Sequence, residues 1–191
     1  VFTNKSMREL CEVLQTILNK NKTRGTYFEA QYKQAIALCP CMKQPLTSEQ
    51  CSNCNNNPFT AGSKLKCRNV PLFKIIQNAF SNADCGNLIP KTRQSSCKRL
   101  QLFLRWVVRD ESPVDLGLWT WYDKRNLLMP LDTHVMQESV KFGLMKKSSS
   151  GKIPAATISK AYELTEQMKL VWPDDPVKGD FALFGLGVNE K

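Results

Sequence analysis

Apolar residues recur at intervals of three and four along most of this chain, and this spacing constrains the fold more than any other feature of the sequence. In residues 10–18 the apolar positions follow i, i+3, i+4, i+7 and i+8, the period of an α-helix that buries one face. Alternating apolar and polar runs, which would indicate strands, are few, and there is no internal repeat. The sequence therefore predicts an all-α fold.

Capping residues mark where the predicted helices begin. Ser6-Met-Arg-Glu9 and Thr26-Tyr-Phe-Glu29 each match a capping box, and Ser112-Pro113 combines an N-cap with a proline at the first helical position. Gly143 is expected to end a helix. The predicted helices are one that begins at Ser6, one from Thr26 to about Leu38, and those over residues 71–80, 96–109, 112–121, 133–142, 154–171 and 176–188.

The composition changes between residues 39 and 69, where Cys, Pro, Asn, Ser and Gly dominate. We expect N-terminal helices over residues 1–38, a Cys-rich loop insert over 39–69 and a helical core over 70–191. A hydrophobic fraction of 42% is sufficient for a packed core. Because the chain starts at Val1, its N-terminal part is expected to be truncated.

Four of the eight cysteines follow a CxC and a CxxC pattern within the insert. Thiolate ligands suit Zn(II), and short loops can bring four of them into a tetrahedral site, with Cys67 or Cys85 as a substitute for one. Such a zinc would be structural. Thiols in a surface loop and two disulfides are the alternatives. The candidate ligands are Cys39, Cys41, Cys51 and Cys54.

The net charge of +10 and the pI of about 9.3 favour a polyanionic partner, either nucleic acid or an anionic membrane surface. No run of about 18 apolar residues is present, so no membrane span is expected. The N-terminus lacks the charged and apolar regions of a signal peptide, so the cysteines are expected to be reduced or metal-bound.

One predicted helix carries a polar face within an otherwise apolar sequence. Lys98, Gln101 and Arg105 lie at i, i+3 and i+7 and so share that face. Partial burial and the field of the helix N-terminus would both lower the pKa of Lys98, and a neutral amine is what covalent amine chemistry requires. The alternative is that Lys98 and Arg105 contact phosphates or face water.

Two acidic residues are further candidates. Asp132 precedes a predicted helix as an N-cap, and an ionised carboxylate there could also stabilise a developing cation or position a nucleophile. Asp180 and Phe184 lie four residues apart, a possible pair that hydrogen-bonds and stacks on a base, or else helix surface and core. His134 is the only histidine, which excludes a His-rich metal site and a Ser-His-Asp triad, and it is expected to be a packing residue.

Several stretches taken together resemble, in this order, a bacterial family of unknown function, which in turn is similar to a branch of the helix-hairpin-helix DNA glycosylase superfamily. The stretch "PLDTHV" is similar to the P-V-D-T-H-V segment that carries the superfamily's catalytic aspartate. By spacing, the archaeal 8-oxoguanine DNA glycosylases are the nearest group. The resemblance covers about residues 95–188 and rests on "SSCKRLQLFLRWVVR", "VDLGLW", "PLDTHV", "ELTEQM" and "DPVKGDFALFGLGV".

The resemblance implies roles for five residues. Lys98 would be the amine nucleophile and Asp132 the carboxylate beside it, while Arg105, Asp180 and Phe184 would contact the extruded base. It implies a helix-hairpin-helix glycosylase-like core and a DNA N-glycosylase/AP lyase that removes an oxidised purine through a lysine Schiff base, in base excision repair. The partner would be double-stranded DNA with a flipped damaged base, in the cytoplasm at the nucleoid, and no cofactor would be required.

Two other functions are compatible with the same sequence. One is a non-catalytic nucleic-acid-binding module of the same fold, for which the basic charge alone would suffice. The other is a zinc-stapled interaction protein whose working part is the Cys-rich insert.

Overall fold

The computed structural model of the chain describes residues 3–37, 71–92 and 94–189, and the regular secondary structure of that part is entirely helical. The prediction of an all-α fold is therefore confirmed. In this part of the chain the short 3-10 helices Lys124–Asn126 and Pro176–Lys178 accompany the α-helices. The α-helices are α1 (Asn4–Lys20), α2 (Arg24–Ala37), α3 (Leu72–Ala79), α4 (Lys98–Val108), α5 (Thr133–Lys141), α6 (Ile158–Val171) and α7 (Gly179–Asn189).

The chain divides into two compact units, Phe2–Cys85 and Gly86–Lys191. In the N-terminal unit, α2 packs against both α1 and α3. The apolar stripes that the sequence predicts supply its core, because burial of an amphipathic face is what stabilises short helices. The buried side chains of this unit include Ile17, Phe28, Leu72, Phe73, Ile75, Ile76 and Phe80.

The capping residues of the first two helices lie three positions before the predicted ones. The hydroxyl of Thr3 accepts a hydrogen bond from the backbone N–H of Ser6, which leaves Ser6 buried inside α1. Before α2, Thr23 and Thr26 each accept a hydrogen bond from the other's backbone N–H. Serine and threonine are both favourable N-caps, so local sequence did not distinguish the two registers.

The C-terminal unit contains the remaining helices. Helix α5 packs along α7, and α6 packs against the 3-10 helix Pro176–Lys178. The segment before α5, where no helix is predicted, is part of the core: Leu127, Met129 and Leu131 are buried, and the backbone N–H of Met129 donates to the hydroxyl of Thr165 at 2.9 Å. This hydrogen bond therefore joins the segment before α5 to α6.

The predicted helix over residues 112–121 is wrong, because the segment contains no helix. The side chain of Asp115 is fully buried and forms an ion pair with Arg109. The backbone N–H of Leu116 donates to the carbonyl of Trp106, one of the acceptors that the end of α4 leaves open. These tertiary contacts replace the hydrogen bonds that a helix would have provided.

Helix α6 also begins later than predicted, at Ile158 rather than at residue 154. Its N-cap is Thr157, whose hydroxyl accepts a hydrogen bond from the backbone N–H of Lys160. On one face of this helix the side chains of Ala161, Leu164, Thr165 and Met168 are buried.

Candidate active site

The N-termini of α4 and α5 are joined by a buried hydrogen bond. The hydroxyl of Ser96 donates to the backbone carbonyl of Leu131 at 2.9 Å. Each of these residues lies just before a helix, so the bond sets the first turn of α4 beside the first turn of α5. Cys97, which precedes α4, has a φ of 55°, a left-handed conformation that costs a non-glycine residue roughly 1 kcal/mol. The chain therefore turns sharply immediately before Lys98.

The two residues that this junction brings together are Lys98 and Asp132. The Lys98 amine donates a hydrogen bond to the Asp132 carboxylate, with 2.6 Å between Nζ and Oδ2. The other carboxylate oxygen, Oδ1, accepts the backbone N–H of Val135 at 2.8 Å and so caps α5. Asp132 thus serves as the predicted N-cap and contacts the predicted lysine at the same time.

The environment of Asp132 keeps it ionised. Burial alone would raise the pKa of this carboxyl, but the hydrogen bonds from Lys98 and from the backbone N–H of Val135 outweigh burial and hold the pKa below its ordinary value. The side chain of Asp132 is 16% exposed and that of Lys98 is 39% exposed. The amine is accordingly accessible from solvent while its carboxylate partner is held in place.

A second ion pair on the same helix joins α4 to α7. Arg105 donates to the carboxylate of Asp180, and both side chains are buried. Burial raises the pKa of Asp180 to about 6, against the opposing charge of Arg105, and the negative charge of Asp132 raises it further while Lys98 lowers it. The two ion pairs therefore interact electrostatically and form one polar cluster in this unit.

The aromatic residue that contacts the cluster is Phe181. Its ring centre lies 4.3 Å from Cζ of Arg105, within the range of a cation–π contact. The predicted stacking residue, Phe184, has a side chain that is 45% exposed. The structure therefore brings Lys98, Asp132, Arg105 and Asp180 together and leaves Phe184 on the surface of α7.

Sequence reasoning missed a buried charge network behind this cluster. Arg109 forms an ion pair with Asp175 at 2.7 Å and another with Asp115, which also lies 3.4 Å from Nε of Arg105. Burial would lower the pKa of Arg109, but hydrogen bonds with the two carboxylates raise it above its ordinary value. Asp115, six positions after Arg109, was the signal in the local sequence, whereas Asp175 lies 66 positions after Arg109. Through Asp115 the network also contacts Arg105.

No group of His, Cys, Asp and Glu side chains within the described residues could hold a metal ion. The predicted zinc ligands Cys39, Cys41, Cys51 and Cys54, and the substitute Cys67, lie outside the described residues. The other substitute, Cys85, is buried in the N-terminal unit. His134 is half-buried, on the first turn of α5.

Among the helices that the structure describes, none is long and apolar enough to cross a membrane.

Comparison with known proteins gives one family and corrects the resemblance drawn from the motifs. No curated protein and no solved structure matches the chain. A family model does match, over residues 1–189, and its description is a protein of unknown function, DUF2400. The relationship to helix-hairpin-helix DNA glycosylases, with the archaeal 8-oxoguanine enzymes as the nearest group, is therefore wrong, since the matched family has no such assignment. The chain belongs to the DUF2400 family of proteins of unknown function.

Proposed function

We propose that this protein is a DNA N-glycosylase with AP lyase activity, which removes an oxidised purine such as 8-oxoguanine through a Schiff base on Lys98. The proposal rests on geometry and not on kinship. The observation that carries it is the partly exposed Lys98 amine, whose Nζ lies 2.6 Å from the oriented carboxylate of Asp132. An amine and a carboxylate at hydrogen-bonding distance are the two groups that attack at a sugar C1′ requires.

The reaction would begin with a proton transfer. Lys98 must lose a proton to become a nucleophile, and the Asp132 carboxylate that accepts its hydrogen bond is the nearest acceptor. The amine then forms a bond to C1′, while the bond between C1′ and the base nitrogen breaks. The base leaves with that electron pair and takes up the proton that Asp132 accepted from Lys98. Ring opening gives an imine between Lys98 and C1′. Loss of a C2′ proton from this imine expels the 3′ phosphate.

The remaining polar groups of the cluster would serve the flipped base. Arg105 and Asp180 offer a donor and an acceptor on the inner side of Lys98, and Phe184 offers an exposed aromatic ring on α7. The net charge of +10 supports double-stranded DNA as the partner, which would place the protein at the nucleoid. Nothing in this scheme requires a cofactor, and a zinc in the Cys-rich insert stays a separate, structural prediction.

Borohydride trapping tests the proposal directly. Duplex DNA that carries 8-oxoguanine is incubated with the protein and sodium cyanoborohydride, which reduces an imine to a stable protein–DNA adduct. We expect an adduct with the wild type and none with Lys98→Gln or with Lys98→Arg, which keeps the positive charge. The matched control is Lys160→Gln, because Lys160 also lies 2.6 Å from a carboxylate, that of Glu163. An adduct with Lys98→Arg, or none with the wild type on any oxidised purine or abasic site, would show the proposal to be wrong.

One observation favours a non-catalytic nucleic-acid-binding module as the second candidate. The Lys98–Asp132 contact is also an ion pair that caps and joins two helices, so it has a structural use without any chemistry. That candidate predicts salt-dependent binding to DNA without base release and without a trapped adduct.

A further inference from the structure

The face of helix α4 that carries Lys98 and Arg105 also carries Gln101, which takes part in neither ion pair. Lys98 contacts Asp132, and Arg105 contacts Asp180. Gln101 lies one helical turn after Lys98 and one turn before Arg105, so its side chain is placed between the two ion pairs on the same face of α4.

The side-chain amide of Gln101 is buried without a hydrogen-bond partner. The residue is 1% exposed, and its Nε2 finds no acceptor among the described residues. A buried N–H group left in this state costs about 1–3 kcal/mol. Leucine has a similar helix propensity and would fill the position without that cost. Glutamine at this position therefore lowers the stability of the fold. A ligand that supplies the missing hydrogen-bond acceptor would explain why a glutamine is present.

The surroundings limit what this ligand atom can be. The amide nitrogen of Gln101 is a neutral group that only donates hydrogen bonds, so it needs an acceptor such as a carbonyl oxygen. Lys98 and Arg105, which lie on either side of it along α4, are each already paired with a carboxylate, so no unpaired positive charge of the two ion pairs is left to balance an anionic acceptor. A neutral carbonyl oxygen is therefore the acceptor that fits.

We propose that Gln101 determines the specificity of this site by donating its buried side-chain N–H groups to a carbonyl oxygen of the extruded base. This inference rests on the proposed glycosylase function and adds a class of substrate to it. The substrates would be bases that place a carbonyl group at the side-chain amide of Gln101. A base with an amino group there would leave two donors facing each other. A site built to hydrogen-bond one group discriminates strongly against an analogue that lacks it.

The test compares a substrate that contains the base with one that lacks it. Gln101→Leu and Gln101→Met both remove the amide and keep a helix-forming side chain of similar size. Release of 8-oxoguanine from duplex DNA is measured in single turnover, and borohydride trapping is measured on a duplex with an abasic site. We expect base release to fall about 30-fold or more with both variants, by loss of a hydrogen bond that matters in the transition state. Trapping at the abasic site should stay within about twofold of the wild type, because no base is present there to be recognised.

The controls separate this role from a structural one. Gln167→Leu makes the same change at an exposed position of α6 and should alter neither reaction. The melting temperature of Gln101→Leu should equal or exceed that of the wild type, because the unpaired amide is gone.

Each other outcome identifies which idea is wrong. Unchanged release of 8-oxoguanine by both Gln101 variants, with trapping intact, would refute the role of Gln101 and leave the proposed function in place. Equal loss of both reactions, or a lowered melting temperature, would show that Gln101 is structural. A wild type that traps neither substrate would refute the proposed function and this inference with it.

Discussion

At the scale of single residues, Asp132 both caps a helix and contacts the candidate reactive amine. The sequence predicts its cap, because Asp132 directly precedes the helical pattern of α5, and the cap is present. The approach of Lys98, 34 positions earlier, could not be predicted from local sequence. That approach depends on the buried hydrogen bond between Ser96 and Leu131, a tertiary contact with no local signal. The unpaired amide of Gln101 likewise becomes visible only when the neighbours of α4 are in place.

The cap and the carboxylate can be separated with Asp132→Asn. Asparagine caps about as well as aspartate, so the free energy of unfolding should fall by about 1 kcal/mol or less from the cap itself. The variant has no carboxylate to accept the proton of Lys98, and the rate of trapping at an abasic site should fall about 100-fold. Thermal unfolding and single-turnover trapping measure the two effects. An unchanged trapping rate would leave Asp132 with only its role as a cap.

Asp180 should make the stability of the protein depend on pH near 6. Its pKa in the folded state is about 6, above the unfolded value of 3.8, so the folded state binds the proton more tightly. The penalty for holding a buried charge is therefore greatest above pH 6 and is relieved as the pH falls toward 4. Between about pH 7 and pH 4.5 this relief should amount to roughly 2 kcal/mol.

The comparison with Asp180→Asn isolates this contribution. Asparagine does not titrate, and carboxyls such as Asp132, whose lowered pKa acts in the opposite direction, are present in both proteins and cancel. Urea unfolding at a series of pH values should show the wild type gaining stability relative to Asp180→Asn as the pH falls through 6. A constant difference between the two proteins would mean that Asp180 titrates at its ordinary value.

At the scale of elements, the helices of the C-terminal unit could be predicted and the segment after α4 could not. Periodicity and caps located α4 and α5 closely, because there the local signals and the tertiary packing agree. In residues 112–121 a cap, a proline and an acid form a good helix start, yet the chain forms turns and irregular backbone there. Asp115 forms an ion pair with a buried arginine, and the backbone of this segment forms hydrogen bonds with the end of α4. These contacts outweigh the local helix propensity.

We expect substitution of Gly117 to lower the stability of the protein more than substitution of any other residue in this segment. Its φ is +58°, and a Cβ placed there would lie 2.8 Å from Cβ of Asp110 and 2.9 Å from its Cα. Gly117→Ala should therefore cost the strain of a positive φ, about 1 kcal/mol, and a steric clash as well, for a total of roughly 2–4 kcal/mol. The matched control is Gly151→Ala, where φ is +75° and nothing lies within 4 Å, so only the strain applies. Equal melting temperatures for the two variants would show that the segment moves away without cost.

At the scale of the whole molecule, the chain of two units has a large net positive charge. The C-terminal unit contains the whole candidate site, and the family match extends over both units, residues 1–189. The net charge of +10 was readable from composition alone. Ion pairs neutralise Lys98, Arg105 and Arg109 within the fold, so the excess charge resides on other lysines and arginines. Charge of this kind steers a polyanion to a protein and does not by itself create a catalytic site.

Binding to DNA should accordingly depend on salt and survive the loss of Lys98. Each phosphate neutralised contributes a slope of about −0.9 to the plot of log K against log salt, so even two contacts weaken binding roughly tenfold between about 50 and 200 mM salt. Fluorescence anisotropy with a labelled duplex, across a salt series, measures this slope. Lys98→Arg should bind with the same slope and within about twofold of the wild-type affinity, because it changes no charge, while it fails to form the borohydride adduct. Binding that is insensitive to salt would exclude DNA as the partner, since the positive surface would then not be contacting phosphates.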